Sequence, residues 1–148
     1  MIKTAAQADV DELAAHASVP VINGLTYEAH PCQALADVMT IRERFGGLED
    51  VRVAWVGDGN NVCTSLVVAC RLRASVVVAC PAGYEPDAEV ELVRDPREAA
   101  RGAQVLYTDV WTSMGRETER ERRRADLAGY RIDAVLLSEA TEDAIVMH

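Results

Sequence analysis

Lysine is nearly missing from this sequence: Lys3 stands alone, and the remaining basic residues are arginines. Positive charge is scarce as well, and the net charge of −9 argues against nucleic acid as a partner. No apolar run approaches the ~18 residues of a membrane span, and no charged-then-apolar leader precedes a cleavage site. The expectation is a cytoplasmic protein without a membrane partner. The four cysteines, Cys32, Cys63, Cys70 and Cys80, include no C-x-x-C spacing, and three of them sit inside apolar runs. Free thiols are therefore expected, with neither a metal site nor disulfides. Internal repeats and low-complexity linkers are absent too. At 148 residues and 49% apolar composition, one well-packed domain accounts for the length.

What is present is organised around residues 51–73. Val53, Ala54, Trp55 and Val56 form an apolar run of strand length, followed by the turn residues Gly57, Asp58, Gly59, Asn60 and Asn61. From Val62 the chain is apolar on nearly every side, as a helix covered on most faces would be. A strand that enters a helix through glycines is the first half of a βαβ unit, and its loop lies where open α/β sheets bind ligands. A dinucleotide site is disfavoured. Gly57-x-Gly59-x-x-Val62 lacks the third glycine, and the next strand, 76–80, ends in Cys80 and Pro81 rather than in an acid for a ribose.

Around this unit, residues 1–18 read as a helix with a loose start, with Val10, Leu13, Ala14 and Ala17 at helical spacing. Val19 to Ile22 reads as a short strand that Pro20 confines to a sheet edge. His30-Pro31-Cys32-Gln33 opens the next helix, with Pro31 at its first position. Its stripe is Ala34, Val38, Ile41 and Phe45, flanked by Leu35 and Met39, and Gly46-Gly47 closes it. Only nine residues, Pro81 to Glu89, precede the apolar stretch 90–93. That is short for a parallel crossover, so either this stretch is not a neighbouring strand or a helix has been trimmed away. Asp95, Pro96 and Glu98 start another helix, ended by Gly102. A strand at 105–108, a solvated Glu/Arg helix over 116–128 and a last strand at 143–148 complete the series.

Strands alternating with helices predict an α/β fold: a parallel Rossmann-like sheet of about five strands with helices on both faces. In an order such as 3-2-1-4-5, the first and fourth strands are neighbours, and Asp109 faces Asn60 and Asn61 across the switch-point crevice. A carboxylate beside amides suits an amino-acid ammonium group. Equally, Asp109 caps a turn there and the asparagines supply positive φ. His30 and Gln33, three apart in a first helical turn, reach the same side, where free N–H groups favour an anion or a polarised carbonyl. The alternative is a histidine that caps its own helix.

Five segments then resemble one family. Val19-Pro-Val-Ile-Asn-Gly24, His30-Pro-Cys-Gln33, Gly57-Asp-Gly-Asn-Asn61, Gly83-Tyr-Glu-Pro86 and Asp109-Val-Trp-Thr-Ser-Met-Gly115 resemble the ornithine carbamoyltransferases in order and spacing, from about residue 8 onward except near residue 87. The resemblance implies that Asn61, Asp109, Ser113 and Met114 hold ornithine, and that His30 and Gln33 contact the carbamoyl group of carbamoyl phosphate. It also implies that the ornithine amine attacks that carbonyl to give citrulline and phosphate, with no metal and no cofactor.

The departures carry weight too. The family's Ser-Thr-Arg-Thr phosphate loop is absent, and the chain stops just before the family's Cys-Leu-Pro. Residues 1–25 are expected to be a helix and strand left from the carbamoyl-phosphate domain, and residues 26–148 a C-terminally truncated ornithine-binding domain. A helix of about fifteen residues is expected to be lost after Asp87, in line with the short crossover. This points to an ornithine-binding half inactive by itself, with a complementary domain or a second copy as possible partners. A non-catalytic amino-acid-binding or regulatory module, or a nucleotide-binding α/β domain, are the alternatives.

Overall fold

The computed structural model describes residues 1–71, 73–112 and 117–148. In chain order the elements are β1 (Ile2–Lys3), α1 (Gln7–His16), β2 (Asn23–Leu25), α2 (Pro31–Phe45), β3 (Arg52–Val56), α3 (Asn61–Cys70), β4 (Ser75–Ala79), β5 (Glu91–Val93), α4 (Pro96–Ala100), β6 (Val105–Tyr107), α5 (Arg120–Asp126), α6 (Ala134–Leu137) and β7 (Ile145–Met147). A single 3-10 turn, Glu117–Glu119, leads into α5. Five strands form one parallel sheet in the order β5-β4-β3-β6-β7, while β1 and β2 pair separately, also in parallel. The expected 3-2-1-4-5 arrangement is therefore the one found.

Alternation along β3 explains the layering. Val53 and Trp55 face one side, where Ile41 of α2 and Val62, Cys63, Leu66, Val67 and Cys70 of α3 cover them. Ala54 and Val56 face the other side, against Ala99, Ala100 and Ala103 around α4 and Leu136 of α6. Side chains of opposite faces thus meet opposite helix layers, as the period-two geometry of a strand requires. Trp55 and its register partner Tyr107 stack at 4.8 Å between ring centroids, an offset geometry suited to aromatic rings. The wide tryptophan is matched on the other face by alanines, which lets α4 come close to the sheet.

Local signals set the helix ends. Pro31 is the first residue of α2, and Gly46 closes it in the left-handed region at φ 78°, its N–H bonding to the Arg42 carbonyl. Asp95 caps α4, its Oδ1 accepting the Arg97 N–H at 2.9 Å. The apolar stretch 90–93 resolves in favour of a neighbouring strand: β5 pairs with β4 in parallel, and no helix lies in the passage between them. Tyr84, Ala88 and Val90 from that passage pack directly on the core instead.

Four expectations need correction. Residues 1–18 are not one helix, because Ile2–Lys3 pairs with β2 and α1 covers only Gln7–His16. The strand expected at Val19 to Ile22 lies instead at Asn23–Leu25. Pro20 lacks an N–H, and only the Ile22 carbonyl, bonded by the Ile2 N–H at 2.9 Å, joins the pairing. Leu35 and Met39 of α2 point outward, both more than half exposed, whereas Asp37 points inward. The Glu/Arg helix is not wholly solvated: Arg123 is 3% exposed.

Candidate functional site

The end of β3 is held by backbone constraints that only glycine meets. Gly57 has φ 133°, a region L side chains rarely adopt. A Cβ on Gly59 would sit 2.3 Å from the Pro86 nitrogen and 2.6 Å from the Glu85 carbonyl carbon, so the 83–86 loop lies directly on it. The Gly59 N–H donates to the Tyr84 carbonyl at 2.8 Å, fixing that contact. The glycine spacing that resembles a nucleotide loop therefore serves loop-on-loop packing.

Asn60 is the N-cap of α3. Its Oδ1 accepts the Val62 and Cys63 N–H groups at 3.0 and 3.1 Å, and its Nδ2 donates to Asp109 Oδ2 at 2.7 Å. Asp109 follows β6, which pairs with β3, so the topology puts the two side chains at one sheet end. Asp109 Oδ1 also accepts the Val110 N–H at 2.8 Å, so Asp109 meets one of the two amides, that of Asn60, and also bonds its own local backbone. The asparagines do not supply positive φ; Asn60 has φ −73° and Asn61 opens the helix. Asn61 Nδ2 donates to the Thr26 carbonyl at 2.6 Å, tying α3 to the segment after β2.

His30 is the N-cap residue of α2 but makes no side-chain cap bond, which removes the self-capping reading. Its backbone N–H donates to Ser65 Oγ at 2.8 Å, and Ser65 donates in turn to the Asn61 carbonyl at 2.7 Å. The imidazole Nδ1 is buried with no hydrogen-bond partner among the described residues. Burial, then the positive charge of Lys3, hold the His30 pKa below its ordinary value, against the opposing pull of Asp109 and Asp37. A neutral imidazole is the result near pH 7.

Gln33 Nε2 donates to Asp37 Oδ1 at 2.9 Å, and the Tyr107 hydroxyl donates to Asp37 Oδ2 at 2.9 Å. Burial pushes the Asp37 carboxyl above its usual range, partly offset by these two donors. The Tyr107 hydroxyl is pushed well up, by burial first and by Asp37 second. His30, Gln33, Asn61, Tyr107 and Asp109 all line one half-open cavity of about 330 Å³, together with Leu25, Tyr27, Val62, Val110 and His148. Four of the six candidate residues thus meet in one space. The other two, Ser113 and Met114, lie outside the described residues.

Behind the cavity a buried ion pair ties its loops together. Arg123 of α5 pairs with Asp58, its Nε donates to the Trp111 carbonyl at 2.5 Å, and its guanidinium lies 4.9 Å from the Tyr84 ring centroid. Asp37, Tyr107 and Arg123 escaped the sequence reading, although signals existed. Asp37 interrupts the apolar face of α2 between Ala34 and Ile41, and Arg123 stands four residues before buried Leu127.

The model of the Asp/Orn-binding domain of aspartate/ornithine carbamoyltransferase matches residues 49–148, and that of the family's carbamoyl-P-binding domain matches residues 1–43. This chain belongs to the aspartate/ornithine carbamoyltransferase family. Within it, the ornithine carbamoyltransferase of Acidothermus cellulolyticus is 51% identical over 164 residues, covering 100% of this chain and 53% of that relative. The enzyme of Gloeobacter violaceus is 48% identical over 163 residues, covering 99% and 52%. Among solved structures, ornithine carbamoyltransferase from Pyrococcus furiosus superposes with a TM-score of 0.91 at 46% identity, over 99% of this chain and 52% of that one. The chain spans about half the length of the carbamoyltransferases it matches. Those alignments also run longer than its own 148 residues, so the relatives carry residues within the matched span that it lacks.

Proposed function

We propose that this chain is the ornithine-binding half of an ornithine carbamoyltransferase, and that it forms no citrulline by itself. In this reading Asp109 receives the α-ammonium of ornithine, with Asn61, Ser113 and Met114 holding the rest of the amino acid. His30 and Gln33 contact the carbamoyl group of carbamoyl phosphate. The ornithine side-chain amine forms the new N–C bond, the C–O bond to phosphate breaks, and the amine loses a proton. Catalysis of this kind rests on positioning and on donors aimed at the developing oxyanion, which suits amides, a neutral imidazole and helix N-termini.

The observation that carries the reading is the shared cavity of His30, Gln33, Asn61 and Asp109, drawn from three separate segments. Asp109 already accepts two hydrogen bonds, yet its two oxygens offer about four lone-pair sites, so room for an ammonium remains. On the same reading the chain divides into a carbamoyl-phosphate part and an ornithine part; the two family models match residues 1–43 and 49–148, which supports a boundary near the end of α2 rather than at residue 25. A cytoplasmic place in arginine biosynthesis follows by kinship. A complementary domain would supply the phosphate loop.

The test is a chemical-shift titration of the wild type, Asp109→Asn and Asn61→Ala with ornithine, with NAD as control. Removing a charged partner in a half-buried site costs about 1.5–3 kcal/mol, or roughly ten- to a hundred-fold in affinity. Shifts at Gly59 to Val62 and near Asp109 with ornithine, lost in both variants, support the assignment. Shifts with NAD and none with ornithine would overturn it, as would citrulline formation well above the uncatalysed rate by the chain alone.

A further inference from the structure

Asp37 touches no open space of its own, yet both of its oxygens are bonded by residues that line the cavity. It is 4% exposed, and its two donors come from different elements: Gln33 one turn earlier on α2, and Tyr107 on β6, seventy residues away. An ionised carboxylate only accepts hydrogen bonds, whereas a glutamine amide has a donating and an accepting end. Contact with Asp37 therefore decides which end of Gln33 is used up and which remains.

We propose that Asp37 is a positioning residue: by binding Gln33 Nε2 it turns the amide so that Oε1, an acceptor, is the end presented to the cavity. The helical spacing makes this a fixed arrangement, because residues four apart on α2 are neighbours on one face. Tyr107 locks the carboxylate from the opposite side, so Asp37 cannot rotate away to release the amide. Two consequences follow for a ligand: it must offer an N–H to Gln33, and an analogue with a methyl in place of the amino group leaves Oε1 unpaired. Sites built around a hydrogen bond of this kind discriminate strongly against such analogues. The preference refines the carbamoyl-group reading above and rests on it, while the orientation of the amide does not.

The experiment separates the two. On the full 148-residue chain, labelled with ¹⁵N and ¹³C, the Gln33 Nε2 resonance should show a through-hydrogen-bond coupling to the Asp37 carboxylate carbon. Its absence in the wild type overturns the proposal, with no variant needed. In Asp37→Leu the coupling disappears and the Gln33 side-chain protons should exchange with solvent at least about ten-fold faster, while the amides of β3 keep their protection. A Gln33 side chain that exchanges as slowly as in the wild type refutes the role. The swap Asp37→Asn with Gln33→Glu restores a donor–acceptor pair and leaves an acceptor facing the cavity, so it should regain the order that Gln33→Glu alone loses.

Carbamoyl phosphate and acetyl phosphate then serve as matched probes, differing by an amino group against a methyl. Shifts at Gln33 and His30 with the first, and at least ten-fold weaker ones with the second, complete the case. Equal shifts would refute an acceptor-presenting Gln33. No response to either, with the coupling intact, removes carbamoyl phosphate as a ligand of this chain alone and leaves the orientation of Gln33 standing.

Discussion

Replacing Arg123 with methionine removes the charge at the centre of the loop cluster while keeping much of the side-chain volume. The guanidinium is 3% exposed and its partner Asp58 is buried, so solvent screening is slight. Taking one member from a buried pair costs about 3–5 kcal/mol, since the remaining charge loses its compensation. Asp58 keeps other interactions, which favours the lower end. The lost bond to the Trp111 carbonyl and the lost cation–π contact with Tyr84 act in the same direction. A loss of about 3 kcal/mol is expected in urea unfolding. With a slope of about 2 kcal/mol/M, the midpoint falls by about 1.5 M at unchanged slope. Arg122→Met is the control, because Arg122 meets Glu119 in the open at 3.0 Å and such pairs contribute about 0–1 kcal/mol. The double variant Asp58→Asn with Arg123→Met should recover part of the loss. If Arg123→Met costs no more than Arg122→Met, the pair does not hold the loops and the reasoning fails.

Gly59→Ala should cost on the order of 1–3 kcal/mol, because its Cβ meets backbone atoms of the 83–86 loop that have no flexible end to move aside; thermal unfolding measures it, and a neutral result would show that the loop yields. His30 should titrate below 6.5 by NMR. Because its folded pKa is depressed, its stabilising contribution is complete above 6.5 and is lost as pH falls through the folded value, so His30→Gln should flatten that part of the stability profile. Asp37 has the opposite sign. Its raised folded pKa means a contribution present below 3.8 and lost as pH rises through the folded value, visible as a carboxyl carbon titrating above 3.8. Hydrogen exchange should find Val19 to Ile22 opening far more readily than Val53 to Val56, which are fully buried in the central strand; equal protection would mean that the exposed segment has found a partner.

Strand order and layers were legible because the apolar runs of β3 and β4 and the helical stripe of α2 each carry their own period. Residues at cavity walls were legible wherever a type implies chemistry and stands at a strand or helix end, as His30, Gln33, Asn61 and Asp109 do. Long-range pairing was not. Nothing local marks Ile2–Lys3 as a strand, since two residues beside a helix have no period, and only β2 makes them one. Arg123 looks like its exposed neighbours in a charge-rich segment, and its burial depends on Asp58, sixty-five residues away. Asp37 was readable as a charge inside an apolar stripe, but its partner Tyr107 lies on another element.

The direct passage from β4 to β5 makes the chain an open socket for engineering. Its first part is committed: Tyr84 and Pro86 sit against Gly59, and the Asp87 N–H donates to Thr64 Oγ1 at 3.2 Å. Beyond that bond Asp87 is exposed, and the chain has only to reach Val90 before the outer strand begins. Peptide added just after Asp87 would leave the sheet edge rather than enter the crevice. Loop closure is forgiving of length, each doubling costing about 0.6 kcal/mol. A fluorescent tag or a tethered second domain can therefore be spliced in at this point, just past the last bond that ties the passage to α3.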